Sequence, residues 1–308
     1  MIADEIRNLD RVRCYTDAWA FFLAREFERR GVELRFDPLR ENGGAAAVDH
    51  YRRLDVSDID HVLALGLRYW SKLPPLAAGF LMGRIPGAVT QYAERPVDGH
   101  PCDATFVTHS PQSDDSVDNV YVGWAADSSL FVPDQSHHAL SLLVDHPNYG
   151  TDPQDRTLAT LRECWAMIKV GVPLGGFRRV VVRRLVDGGA IEVDPATAHV
   201  EPFNRQHVSI GEIAGEYGRA HVFFVTHRES TGLVVLEAAM SGALVVAPEG
   251  YIASDRLRTV RAIEYRERIP WRRVVDEIDV PASRSRALPN DWAAVADRML
   301  EWLTRFKR

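Results

Sequence analysis

Residues 221–250, HVFFVTHRESTGLVVLEAAMSGALVVAPEG, constrain the fold more than any other part of this 308-residue chain. An apolar run, 221–225, breaks at a polar stretch holding Glu229, Ser230, Thr231 and Gly232. A second mostly apolar run, 233–240, reads as a helix that closes at Gly242, a residue suited to ending one. A third, 244–247, stops at Pro248. Uniformly apolar strands either side of an apolar helix are buried on both faces. That is the pattern of a parallel sheet with helices on both sides.

The same rhythm runs along most of the chain. Strands are expected at 12–16, 32–36, 61–65, 87–92, 104–108, 140–144, 179–185, 221–225 and 244–247. Helices are expected from Asp17, as N-cap, to Gly31, and at 73–82, 156–168, 210–217, 233–240 and 292–306. The run 40–47, RENGGAAA, reads as a loop, and 121–133 reads as a linker between two α/β halves. No 20–50-residue repeat is visible. The expected domains are 1–130 and 131–308, with the last helix free to cross back to the first domain.

Composition narrows the function classes. With 46% apolar and 26% charged residues the chain is globular. No apolar run reaches the ~18 residues of a membrane span, and the first residues, MIADEIRNLDR, do not read as a secretion signal. The three cysteines, Cys14, Cys102 and Cys164, are too scattered for a disulfide framework or a CxxC metal site, so a cytoplasmic setting is expected. Residues 1–130 carry 14 Lys+Arg against 20 Asp+Glu, which accounts for the whole formal charge of −6. An acidic first half disfavours nucleic acid and acidic lipid as partners. Only three residues are Lys, and the Arg excess reads as a compositional habit rather than as recognition. His137, His138 and His146 lack metal-ligand spacing. A membrane-surface role for the helix carrying Trp19, Phe21, Phe22, Arg25 and Arg29 is the lesser reading beside a core helix.

The chemistry concentrates where strand 221–225 meets helix 233–240. In doubly wound sheets ligands bind at the carboxyl ends of strands. A helix N-terminus offers unpaired N–H groups and a positive dipole end to a phosphate, and Gly232 allows close backbone approach. Glu237, further along the helix, is suited to a vicinal diol such as a ribose.

This segment resembles the signature of glycosyltransferases with the GT-B fold, glycosyltransferase family 4 in particular. That signature sets two glutamates seven residues apart within E-S-F-G-L-x-x-x-E-A-M-A-x-G-x-P-V-V-A. Here it reads Glu229, Ser230, Thr231, Gly232, Leu233, then Glu237, Ala238, Ala239, Met240, Ser241, Gly242, Ala243, then Val245, Val246, Ala247. Weaker similarity spans 200–248, and VGWAADSSLFVP (122–133) looks like the family's hinge; about half the chain is covered. Thr231 stands where the family has an aromatic, Leu244 replaces its Pro, and no Gly-rich loop follows the first expected strand.

The resemblance implies an α/β, GT-B fold of two Rossmann-like domains facing each other across a cleft. It implies a retaining glycosyltransferase using a nucleotide-sugar donor, with no metal and no cofactor. Glu229 would position the donor sugar, and Ser230, Thr231, Gly232 and Leu233 would hold the diphosphate with Arg156 or, second, Arg183. Glu237 would hold the ribose, and His109 (with His100 as rival) would approach the reacting sugar. A glycan, lipid-linked glycan or small metabolite is the expected acceptor, ahead of DNA or protein, and membrane-peripheral placement accompanies a lipid-linked one. The rival readings are a GT-B sugar-nucleotide epimerase and a non-catalytic GT-B-like binding protein.

Overall fold

The computed structural model describes residues 16–36, 45–65, 75–93, 102–108, 119–134, 140–146, 166–172, 181–184, 189–192, 199–204, 209–225, 232–267 and 269–306. The chain forms two compact units, Met1–Ala125 with Trp292–Arg308, and Ala126–Asp291. Both are α/β.

In the first unit four strands, β1 (Val62–Leu65), β2 (Val89–Ala93), β3 (Ala104–Val107) and β4 (Asn119–Tyr121), pair in that order, all parallel. Helix α1 (Thr16–Arg29) buries Phe22, Leu23 and Phe27, and Gly31, at φ 76°, ends it. The helix begins at Thr16, which puts Asp17 inside its first turn rather than at its cap. Helix α2 (Ala45–Arg53) takes in the three alanines expected to be loop, in keeping with alanine's helix propensity. Helix α3 (Pro75–Met82) follows β1. Residues 32–36 keep the alternation that suggested a strand, with Val32, Leu34 and Phe36 half-buried, but pair with no strand among the described residues.

The last helix, α9 (Trp292–Arg305), belongs to this unit. Trp292 stacks on Phe22 of α1 at 6.1 Å between ring centroids. Arg30 donates to Asp297 Oδ1 (2.6 Å) and to the carbonyl of Ala293 (2.9 Å). The hydrogen bond from Arg30 holds the Asp297 carboxyl below its ordinary 3.8. A depressed native value contributes stability that is complete above 3.8 and lost as pH falls through the lowered value. Asp297→Asn should therefore flatten the acid limb of this unit's unfolding profile while leaving the limb near neutrality in place. Unfolding midpoints measured between about pH 5 and pH 2 check this.

The second unit holds a six-stranded sheet in the order β12 (Ala262–Tyr265), β11 (Leu244–Pro248), β10 (Val222–Val225), β5 (Leu140–His146), β6 (Ala166–Val172), β9 (His199–Asn204). The first four are parallel, and β6 runs antiparallel to both its neighbours. Residues 166–168 were expected to be helical. Ala166, Ile168, Val170 and Val172 recur at period two, with three β-branched residues among them, and the strand pattern wins. β7 (Val181–Arg184) and β8 (Gly189–Glu192) form a separate antiparallel ribbon.

Between these strands lie α4 (Ile210–Arg219), α5 (Leu233–Met240), α6 (Ser254–Leu257), α7 (Trp271–Asp276) and α8 (Val280–Ala287). Ser209 and Glu212 form a capping box on α4, each side chain bonding the other's backbone N–H. The unit begins and ends in one place, where Ala126 bridges Asp291 and Ser128 N donates to Asp291 Oδ2 at 2.7 Å. Among the described residues no helix is long and apolar enough to cross a membrane.

Candidate functional site

Strands β10 and β11 are buried along their whole length, and α5 between them is buried on every face. A helix that is apolar all round needs a fully enclosed position, and here sheet and neighbouring helices supply it. Two features at its C-terminal end fix it. Gly242, at φ 95°, lets the chain pass α8 where a Cβ would stand 2.4 Å from Val280 Cγ1. Arg284 of α8 donates to the carbonyls of Met240 (2.5 Å), Phe131 (2.6 Å) and Ser128 (2.7 Å). Burial lowers the pKa of this guanidinium from its ordinary value.

The opposite end of α5 faces the carboxyl edge of the parallel strands, since the chain enters it from the end of β10. Its N-cap is Gly232 in the left-handed region (φ 69°, ψ 23°), with no side chain to satisfy the first N–H groups. Leu233 is 5% exposed. Glu237 is 8% exposed, on a helix whose other side chains are apolar. Gly232, Leu233 and Glu237 are thus brought together on one buried helix at the sheet's carboxyl edge. Glu229, Ser230 and Thr231, which precede it in sequence, lie outside the described residues, and so do His109, His100 and Arg156. Arg183 stands in the β7–β8 ribbon, not in the six-stranded sheet.

The structure adds charged groups that the sequence reading passed over. Glu249 directly follows β11 and Arg266 directly follows β12. The ladder continues one step past β11, with Glu249 N donating to the carbonyl of Tyr265, the last residue of β12, at 2.9 Å. Arg266 then grips the Glu249 carboxylate with two bonds, Nη2 to Oε1 at 2.9 Å and Nε to Oε2. The pair lowers the Glu249 pKa and raises that of Arg266, through the hydrogen bonds first. Gly250 N donates to Glu264 Oε1 at 3.0 Å, closing the turn. A charge immediately after a short apolar run was the available signal, but 262–265 (AIEY) is too short and too polar to stand out as a strand. Arg256 of α6 is also buried, at 1% exposure.

Other described groups are placed away from this chemistry. A groove of about 300 Å³ beside β12 is lined by Leu257, Val260, Arg261, Glu264, Glu277 and Arg286, with no residue of α5. Cys102 is buried, and burial first, then Asp103, pushes its thiol up to about 12, so it supplies no thiolate at neutral pH. Among the described residues no group of three or more His, Cys, Asp or Glu is arranged to hold a metal.

No protein-family model matches this chain. No curated protein matches it either. Among solved structures it is similar to AviGT4, a glycosyltransferase involved in avilamycin A biosynthesis, with 16% identity and a TM-score of 0.53 over 94% of this chain and 89% of that one. At that identity the likeness is one of fold: this chain has an α/β architecture, with one parallel sheet and one mixed sheet, similar to that of a glycosyltransferase.

Proposed function

We propose that the protein is a retaining glycosyltransferase that moves a sugar from a nucleoside diphosphate sugar to an acceptor hydroxyl, without a metal or cofactor. The GT-B reading of its two α/β units is part of this proposal. The observation that carries it is the β10–α5 junction. A fully buried parallel strand leads to a helix whose N-cap is a left-handed glycine and whose one charged residue, Glu237, is buried. A diphosphate matches the N–H groups and dipole of that helix start, and a ribose diol matches the carboxylate. The fold shared with a glycosyltransferase supports the same reading.

In this reading the bond from the anomeric carbon to the diphosphate oxygen breaks as the acceptor oxygen bonds the same face of that carbon. The acceptor proton passes to the departing phosphate. Glu229 positions the sugar, and His109 approaches it. The protein's contribution is electrostatic, because charge grows on the diphosphate where the helix start is already oriented toward it.

The test is incubation with UDP-, GDP-, ADP- and dTDP-sugars, with and without EDTA, reading released nucleoside diphosphate. Slow donor hydrolysis with one base, surviving EDTA, is the expected result. Conversion of a donor to an isomer without release would identify an epimerase. Binding with no turnover of any donor would identify a non-catalytic protein.

A further inference from the structure

We propose that Arg266 is a cation for the donor's diphosphate, held in reserve by Glu249 until the donor arrives. This rests on the transferase reading above and deepens it, because that reading needs a positive side chain at the carboxyl edge of this sheet. A nucleoside diphosphate leaves with several negative charges, more than a helix start alone balances.

Arg266 is not the sole arginine on this side of the unit, since Arg256 of α6 follows β11, but Arg256 is buried whereas Arg266 is exposed, and other arginines stand elsewhere. Arg219 ends α4, on the way into the amino end of β10, and Arg261 precedes the amino end of β12. Arg284 is committed to three backbone carbonyls and Arg286 to that of Arg258. Arg266 directly follows the carboxyl end of a parallel strand. The register aligns Phe224 with Val246, and Val246 with Ile263, so β11 and β12 end level with each other and one residue beyond β10. Two strand spacings, about 10 Å, separate β10 from β12. A diphosphate at the start of α5 and a long arginine side chain together bridge that interval.

The present partner of Arg266 is easy to replace. Its side chain is 81% exposed and that of Glu249 48%, so the ion pair is screened by water and weakly held. The two-pronged grip on a carboxylate is the same geometry by which a guanidinium grips a phosphate, which carries more charge. Binding the donor therefore exchanges one anion for another, and Glu249 competes with the ligand.

That competition gives a signature that a purely structural ion pair lacks. Affinities of UDP, GDP, ADP and dTDP, and of the matching nucleosides, are measured by calorimetry on wild type, Arg266→Ala, Glu249→Gln and the double variant. For the diphosphate that binds best, Arg266→Ala should weaken binding about tenfold and leave the nucleoside unchanged. Glu249→Gln should tighten diphosphate binding several-fold, and this gain should vanish in the double variant. Both sites are exposed, so unfolding midpoints should stay close to wild type. Equal diphosphate affinity in wild type and Arg266→Ala overturns the proposal, as does weaker binding in Glu249→Gln. A wild type that binds none of the four diphosphates contradicts the transferase reading itself, and this inference falls with it.

Discussion

Glu26→Gln should cost the first unit about 3 kcal/mol of stability, read as a lower midpoint in urea unfolding. Glu26 is 3% exposed near the end of α1. Its Oε1 accepts from Arg25 Nε (3.2 Å), Arg25 Nη2 (3.1 Å) and Arg29 Nη1 (2.7 Å). Its Oε2 accepts from Arg30 Nη1 (2.9 Å), the same arginine that reaches α9. One carboxylate therefore gathers three guanidiniums and fixes the one that ties the two helices together. The neutral amide keeps the shape, removes the countercharge and turns a hydrogen-bond donor toward other donors. Removing one partner of a buried pair costs about 3–5 kcal/mol. The low end applies because the arginine side chains are 24%, 58% and 23% exposed and regain water. A loss under about 1 kcal/mol would mean that the cluster is no more than a solvated surface network.

Other arginines also hold the fold together, whatever the origin of the arginine excess. Arg84 reaches the carbonyls of Tyr51 (3.3 Å), Arg52 (2.9 Å) and Leu54 (2.5 Å) at the end of α2. Arg284 reaches three carbonyls from two separate stretches of chain, and Arg298 that of Val122 at 2.6 Å. A rigid five-donor fork spans such sets, whereas a lysine ammonium is a single point. Net charge and counts hold none of this, because the partners are backbone groups that every sequence has.

Where burial is uniform, the sequence reading and the structure agree. Helix α5 occupies the expected 233–240, and β10 and β11 are the expected apolar runs, because strands enclosed on both faces tolerate no polar residue. Agreement fails at edges. The strand β12 is half-exposed and alternates, with Ile263 inward and Glu264 outward, so it left no apolar run to notice and Arg266 went unremarked with it. Residues 166–168 stand at the end of the helix expected over 156–168 and at the start of a period-two pattern, and pairing with β5 and β9 makes them strand. The candidate site follows the same rule. Gly232 and Glu237 were legible because they interrupt an apolar frame, whereas Glu249 and Arg266 are ordinary charges that only strand register brings side by side.

Glu237→Gln should weaken nucleotide binding roughly ten- to a hundredfold and change turnover less. The carboxylate is 8% exposed beside Leu236 and Ala238, both fully buried. Each hydrogen bond that a diol gives to a charged group contributes about 1.5–3 kcal/mol. Glutamine keeps the size and loses the charge. Glu229→Gln should show the opposite split, lowering turnover more than affinity, because its partner is the sugar that changes in the transition state. The most direct measurement compares ribo- and 2′-deoxyribonucleoside diphosphate affinity on wild type and on Glu237→Gln. The account predicts that wild type strongly prefers the ribonucleotide and that the variant discriminates far less. If the substitution weakens both nucleotides equally, or neither, Glu237 does not hold the ribose, and the assignment of α5 to a sugar-nucleotide donor is contradicted.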